Sequence, residues 1–105
     1  MGDARTLHGI KMPTERVAAF CRANGIRRLA LYGSILRDDF RSDSDVDFLV
    51  EFQPGVRVGY LAIARMQREL AGVLGRRVDL RTPAELHPAF RDEVMKEALT
   101  EYVAA

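Results

Sequence analysis

Residues 45–52 read DVDFLVEF and place two acidic residues at the head of an apolar run. We predict that this run is a β-strand, in which successive side chains point to opposite faces of a sheet. Asp45 and Asp47 would then share one face, about 6–7 Å apart along the backbone, while Val46 and Phe48 face the core. Two carboxylates this close disfavour each other's charge unless something neutralises them. Magnesium, which prefers oxygen ligands and is often bound together with substrate phosphates, is the natural partner of such a pair.

A glycine–serine pair and a third aspartate accompany the predicted strand. Gly33-Ser34 follows the apolar segment 28–32, and 10 residues separate it from Asp45. Glycine lets the backbone approach a phosphate closely, and amides at the start of a helical turn can donate to that phosphate. The third aspartate, Asp79, lies in a second short apolar segment. Together these residues indicate a metal-dependent nucleotide site.

Composition and charge narrow the possible functions of the chain. Its 105 residues fit one domain, and its net charge of +1 leaves no basic field to hold a long nucleic acid. No apolar run approaches the roughly 18 residues that span a membrane, and no signal peptide is evident, so we expect a cytoplasmic protein. The single cysteine, Cys21, excludes an internal disulfide and a cysteine-based zinc site. Its apolar helical surroundings predict a buried thiol.

The pattern of apolar residues predicts the order of helices and strands. Residues 1–12 lack periodicity, and we expect a flexible N-terminal arm there, followed by a single domain over residues 13–105. The predicted elements of that domain are a helix from residue 13 to about residue 24, a strand over 28–32, a helical turn over 35–37, a strand over 45–52, a helix over 58–74, a strand over 77–81, a short helix after a capping box at 82–85 and a last helix from residue 88 whose apolar stripe reaches Tyr102. This order indicates an α/β domain with three or four strands. It leaves the strand order and the strand directions open.

The stretch 31–47, LYGSILRDDFRSDSDVD, resembles the minimal nucleotidyltransferases, small domains of the DNA polymerase beta-like nucleotidyltransferase superfamily. The family pattern is Gly-Ser, a spacer of the length found here, Asp-x-Asp on a strand, and a further acidic residue on a neighbouring strand. The resemblance extends from about residue 13 to residue 103 and implies a mixed three- to four-stranded sheet flanked by helices. One departure is Asp38, where many members have glycine. This additional carboxylate, next to Asp39, makes the surface that a phosphate would approach near Arg37 less positive.

The resemblance implies two sets of site residues. The catalytic metal ligands are Asp45, Asp47 and Asp79, and the nucleotide-binding residues are Gly33, Ser34 and Arg37. The three aspartates would hold two magnesium ions, one of which arrives with the nucleoside triphosphate. Two such ions, about 3.5–4 Å apart, stabilise both the entering and the leaving oxygen of an in-line displacement.

The resemblance also implies a biological role. Minimal nucleotidyltransferases are often encoded beside a HEPN-domain protein, with which they form an antitoxin and toxin pair. The expected reaction transfers AMP from ATP to a hydroxyl, expected to be that of a tyrosine, on the HEPN-domain toxin. Three alternatives stay open: a small-molecule nucleotidyltransferase that acts on an aminoglycoside-like alcohol, a non-catalytic nucleotide- or partner-binding module, and a structural calcium or magnesium site. The sequence does not distinguish the acceptor, the preferred base or the oligomeric state.

Overall fold

A computed structural model describes residues 4–105 of the chain. The strands are β1 (Ala4–Leu7), β2 (Ile10–Pro13), β3 (Ile26–Tyr32), β4 (Val46–Phe52), β5 (Val78–Arg81) and β6 (Leu99–Val103). The α-helices are α1 (Thr14–Ala23), α2 (Tyr60–Leu74) and α3 (Pro88–Glu97), and two short 3-10 helices span Gly33–Leu36 and Pro83–Glu85.

A mixed four-stranded sheet forms the centre of the molecule. Its strand order is β5-β4-β3-β6, in which β3 runs antiparallel to both β4 and β6 while β4 and β5 are parallel. The predicted fold class, a mixed sheet flanked by helices, is therefore confirmed. The predicted inward residues Val46, Phe48 and Val50 are completely buried, and Leu49 on the opposite face is only 2% exposed. The centre of strand β4 is thus covered on both faces, which explains why Phe48, Leu49 and Val50 are apolar in succession.

Two amphipathic helices cover the sheet. Helix α1 packs against β3 and buries Val17, Phe20 and Cys21, while α2 packs against β5 and buries Met66 and Leu70. The Cys21 side chain has no solvent exposure, as predicted. Burial, which disfavours the thiolate, raises the pKa of this thiol to about 12.

The N-terminal segment differs from the predicted flexible arm. Strands β1 and β2 form an antiparallel hairpin across a turn at His8 and Gly9, both of which have positive φ angles. Ile10 and Met12 on β2 are 5% and 1% exposed, and β2 contacts both α1 and α2. The expectation for residues 4–12 was therefore wrong, because an alternating pattern this short does not stand out from a coil. Residues 1–3 lie outside the described part of the chain.

The C-terminal segment also differs from the prediction. The last helix ends at Glu97, and residues 99–103 form β6, which pairs antiparallel with β3. The apolar stripe that was predicted to run along one helix as far as Tyr102 belongs to two elements, α3 and β6. The chain leaves the helix because residues 99–103 pair with the open edge of β3. Thr100, Tyr102 and Val103 are residue types that favour a strand. Within residues 4–105, no helix has the length and apolar character needed to cross a membrane.

Candidate active site

Strand register places the central aspartate beside the third one. Asp47 on β4 pairs with Tyr32 on β3 and with Asp79 on β5. Directly paired residues on neighbouring strands have backbones about 4.8 Å apart, and paired side chains leave the sheet on the same face. The structure therefore brings together the two aspartates that sequence reasoning drew from separate segments.

Asp45 lies immediately before β4 and is the most exposed of the three aspartates. Its Oδ1 atom lies 3.1 Å from Nε of Arg77, the residue that precedes β5. The carbonyl oxygen of Arg77 also accepts a hydrogen bond of 2.9 Å from the amide of Val46. The entry to β4 is thus tied to the entry to β5, which holds Asp45 near the other two aspartates.

Asp79 forms an ion pair with a neighbouring arginine. Nε of Arg81 donates to its Oδ2 atom at 2.8 Å, and both residues belong to β5, two positions apart on one face. Arg77 and Arg81 therefore neutralise Asp45 and Asp79 respectively. Asp47 has no ion pair of its own among residues 4–105.

The electrostatics of Asp47 reflect this difference. Burial, followed by the charges of Asp79 and Asp45, raises the pKa of Asp47 to about 6. Burial, followed by the charges of Asp47 and Asp79, raises the pKa of the neighbouring Tyr32 to about 12. The negative charge at Asp47 is thus costly in the structure without a cation, which marks the position where one would be most stabilising.

The glycine of the Gly-Ser pair lies directly against the side chain of Asp47. Gly33 has a φ angle of +80°, and a Cβ atom at this position would lie 2.6 Å from Oδ2 of Asp47. Only glycine avoids both the left-handed strain and the collision. Ser34 follows in the 3-10 helix, and its carbonyl oxygen accepts a 2.9 Å hydrogen bond from the amide of Arg37.

Arg37 is exposed and paired within its own loop. Its Nε atom lies 3.4 Å from Oδ1 of Asp39, with both side chains more than half exposed. The charge of Arg37 nevertheless lowers the pKa of Asp47, although less than Arg81 does. A substrate phosphate would therefore compete with Asp39 for this guanidinium.

Sequence reasoning missed a cluster that fixes the loop between Gly33 and Asp45. The rings of His8 and Phe40 lie 5.0 Å apart, and the guanidinium of Arg76 lies 5.1 Å from the centre of the Phe40 ring. Nε2 of His8 donates to the carbonyl oxygen of Ile35 at 3.0 Å, and Arg76 donates to that of Ser44 at 2.8 Å. Phe40 is the one apolar residue in an otherwise polar loop, and this isolated aromatic was the available signal.

Two cavities open beside the aspartates, on the sides of the two strands that flank β4. One, of about 450 Å³, is lined by Tyr32, Gly33 and Arg37 on the β3 side and by Val94 and Glu97 of α3. The other, of about 540 Å³, includes Asp79 on the β5 side. A larger depression of about 950 Å³ lies along α3 and contains none of the predicted site residues, so cavity size does not identify the site.

Comparison with known proteins decides the family. The family model described as a nucleotidyltransferase domain matches residues 15–100. The chain belongs to the nucleotidyltransferase domain family. The recognition made from the motif is therefore confirmed, and the chain is an enzyme of the nucleotidyltransferase class.

Relatives of this nucleotidyltransferase carry more specific names. A protein adenylyltransferase of Methanocaldococcus jannaschii is 37% identical over 76 residues, which cover 72% of this chain and 80% of the relative. The protein adenylyltransferase MntA of Thermococcus cleftensis is 32% identical over 75 residues, with 71% and 74% covered.

Solved structures agree with the fold. A minimal nucleotidyltransferase structure with 38% identity matches at a TM-score of 0.67, covering 82% of this chain and 86% of that one. A toxin–antitoxin structure with AMP-PNP matches at 0.70 with 18% identity, covering 89% and 75%. An MNT antitoxin in complex with a tri-AMPylated HEPN toxin of Shewanella oneidensis matches at 0.62 with 17% identity, covering 87% and 70%. At these last two identities the likeness concerns the fold alone.

The three aspartates of this nucleotidyltransferase have the chemistry that a magnesium site requires, although two of them form ion pairs with arginines. Across residues 4–105, no three His, Cys, Asp or Glu side chains already converge as metal ligands. Asp45 and Asp79 are each paired with an arginine instead, Arg77 and Arg81 respectively. Carboxylate oxygens are the ligands that magnesium prefers. The unpaired, half-buried Asp47 with its raised pKa is the observation that favours a cation at this point.

Proposed function

We propose that this chain is a magnesium-dependent protein adenylyltransferase that transfers AMP from ATP to a hydroxyl, that of a tyrosine, on a HEPN-domain toxin, and so acts as its antitoxin. The observation that carries the proposal is Asp47, held between Gly33 and Asp79. Gly33, which is proposed to lie beside a phosphate, and Asp79, which is proposed to bind a cation, both adjoin this side chain. The proposal places the protein in the cytoplasm, where ATP is available.

The nucleotide is assigned to the cavity of about 450 Å³ beside Gly33. Without a Cβ, Gly33 lets Asp47 lie against the turn, and the backbone amide and hydroxyl of Ser34 can donate to a phosphate beside it. Arg37 would exchange Asp39 for a phosphate oxygen. These roles extend the sequence prediction, and each is a proposal for this chain.

Asp45, Asp47 and Asp79 are proposed to hold two magnesium ions. Bound there, magnesium supplies charge neutralisation for the triphosphate and lowers the pKa of the attacking hydroxyl. The chain itself contributes by fixing the positions of these carboxylates. Strand β4 fixes Asp47, and the pairing of β4 with β5 fixes Asp79 next to it.

The proposed transfer is an in-line displacement at the α-phosphorus of ATP. A bond forms between the acceptor oxygen and the α-phosphorus, and the bond from that phosphorus to the oxygen bridging to the β-phosphate breaks. Pyrophosphate leaves, and the hydroxyl proton is released to water. The acceptor keeps the AMP group as a phosphodiester.

The choice of a protein acceptor draws on the relatives. Two proteins that are 37% and 32% identical to the chain are named protein adenylyltransferases. One structural match is an MNT antitoxin in complex with a tri-AMPylated HEPN toxin, and another is a toxin–antitoxin with AMP-PNP. These descriptions belong to those proteins, and we extend them to this chain as a hypothesis.

The test uses the chain together with its proposed partner, a HEPN-domain protein to be sought in the neighbouring gene. ATP radiolabelled at the α-phosphate should label the HEPN-domain protein when magnesium is present, whereas ATP labelled at the γ-phosphate should not. The double variant with Asp45→Asn and Asp47→Asn should transfer no label, while Asp92→Asn on α3 should transfer as much as wild type. Neutralisation of the toxin without ATP, and equally well by the double variant, would contradict the enzymatic role.

A further inference from the structure

The two cavities beside the aspartates differ in what they offer to a ligand. The cavity on the β3 side contains the glycine turn and Arg37, which suit a phosphate. The cavity of about 540 Å³ on the β5 side contains Asp79 but no glycine turn of this kind, and its far wall is the first turns of α2. Asp47 pairs in the sheet with Tyr32, which lines the first cavity, and with Asp79, which lines the second, so the two cavities flank the strand that carries this carboxylate.

The rim of the β5-side cavity exposes large apolar side chains. Tyr60, which lines the cavity, is 86% exposed, and the adjacent Leu61 is 83% exposed. They are the two most exposed large hydrophobic residues in the described part of the chain. Tyrosine is enriched where proteins bind one another, and adjacent exposed apolar residues beside a cavity are typical of a contact surface.

Gln67 adds an oriented hydrogen-bond donor to the wall of this cavity. Its Oε1 atom accepts a 2.9 Å hydrogen bond from the amide of Leu80 on the open edge of β5. This contact fixes the side-chain amide, and its Nε2 group has no partner within residues 4–105. A polypeptide carbonyl in the cavity would supply the acceptor that this group lacks.

Arg81 and Glu85 also line the cavity, so its charged side chains, with Asp79, are of both signs. The charges therefore do not select the acceptor, and the apolar rim does. The hydroxyl-rich surface of an aminoglycoside-like acceptor would gain little from Tyr60 and Leu61. A polypeptide segment with an apolar flank beside its hydroxyl fits the rim.

From this arrangement we infer that the cavity between α2 and β5 is the acceptor groove, which binds an extended, hydroxyl-bearing segment of the partner protein. This inference rests on the proposed function. Tyr60 and Leu61 bind the apolar flank of the segment, Gln67 donates to its backbone, and the hydroxyl lies beside Asp79. The nucleotide then approaches from the Gly33 side, so the two substrates do not compete for space.

The kinetic test changes the rim without touching the aspartates. The variant carrying Tyr60→Ala and Leu61→Ser should raise the KM for the HEPN-domain protein at least tenfold. The KM for ATP and the rate at saturating acceptor should stay within twofold of wild type. Phe90→Ala is the matched control, because this aromatic is also 60% exposed but lies on α3. An unchanged KM for the acceptor in the rim variant would overturn the inference and leave the proposed function standing.

A second measurement does not depend on transfer activity. Cysteine is introduced by Leu61→Cys or, as the control, by Phe90→Cys, and each variant carries a benzophenone attached through a maleimide. Irradiation with the HEPN-domain protein should crosslink position 61 to a tyrosine-bearing segment, and position 90 should give no such product. Crosslinking at position 61 without any AMP transfer would support the groove and contradict the proposed function. Crosslinking at position 90 alone would overturn the groove whatever the activity.

Discussion

Strand β4 and helix α3 belong to the same small domain but are held in opposite ways. Strand β4 is paired along both edges and contains four buried residues, whereas no residue of α3 is buried. Polar contacts anchor α3 instead, as Arg91 donates to the carbonyl oxygens of Pro83 and Leu86. The positions of the site residues are therefore fixed mainly by β4. The same substitution should have very different consequences in the two elements.

The largest difference should appear when an aspartate is removed from each element. Asp47→Ala removes the proposed metal ligand at the centre of the site, and we expect AMP transfer to fall by roughly 10³-fold or more, about 4 kcal/mol of barrier. Asp92→Ala on α3 should change the rate by less than about twofold. Initial rates of label transfer at saturating ATP measure both. Comparable rates in the two variants would break the comparison.

Removing a phenylalanine should separate the elements in stability. Phe48 on β4 is completely buried, so Phe48→Ala should lower the free energy of unfolding by about 3–5 kcal/mol. Phe90 on α3 is 60% exposed, so Phe90→Ala should stay within about 0.5 kcal/mol of wild type. Urea unfolding followed by circular dichroism measures the difference. A loss above 2 kcal/mol for Phe90→Ala would mean that α3 is packed as firmly as the sheet.

Gly33 tests how closely the loop fits β4. Gly33→Ala puts a methyl group 2.6 Å from Oδ2 of Asp47 at a φ angle of +80°, which should cost about 1–3 kcal/mol of stability. Transfer activity should fall further than stability alone explains, because Asp47 must move. Gly72→Ala on α2 is the control, since nothing lies within 4 Å of its added Cβ, and it should stabilise the helix by up to about 1 kcal/mol. Thermal unfolding and transfer assays at one temperature compare the two.

The smallest expected effect is a gain in stability from Asp47→Asn without metal. The pKa of Asp47 is raised to about 6 in the folded protein, so the folded state binds the proton more tightly than the unfolded chain. Stability is then highest below about pH 4 and falls as the pH rises towards about pH 6.

Because solvent screens a half-buried group, we expect the aspartate to cost about 1 kcal/mol at pH 7. Asp47→Asn should recover this amount in a chelator, and the gain should disappear near pH 4. Unfolding midpoints measured at pH 4 and pH 7 in EDTA test the sign. A less stable Asn variant at pH 7 would show that Asp47 is neutralised in the metal-free protein.

The sequence was most informative where the chain is buried. The apolar centre of β4 and the Gly-Ser turn before it have strong local signals. The structure places Gly33 against Asp47, and Asp47 beside Asp79, through strand pairing that the sequence could not specify. The roles of Gly33, Ser34, Arg37 and the three aspartates stay predictions.

The hairpin β1–β2 and strand β6 were missed for a common reason. Both are short, and each is stabilised by neighbours that are distant in sequence: the helices α1 and α2 for β2, and the edge of β3 for β6. Local propensity cannot register such contacts. The arginines that pair with Asp45 and Asp79 were unpredictable in the same way, since ion pairs depend on side-chain directions.

The sealed position of Cys21 has a practical consequence. A thiol with a pKa of about 12 and no solvent exposure reacts with alkylating reagents only when the domain opens. The rate at which iodoacetamide modifies Cys21 therefore reports the rate or extent of unfolding, and no label has to be introduced. Any cysteine introduced on the surface would be the sole fast-reacting thiol of the native protein.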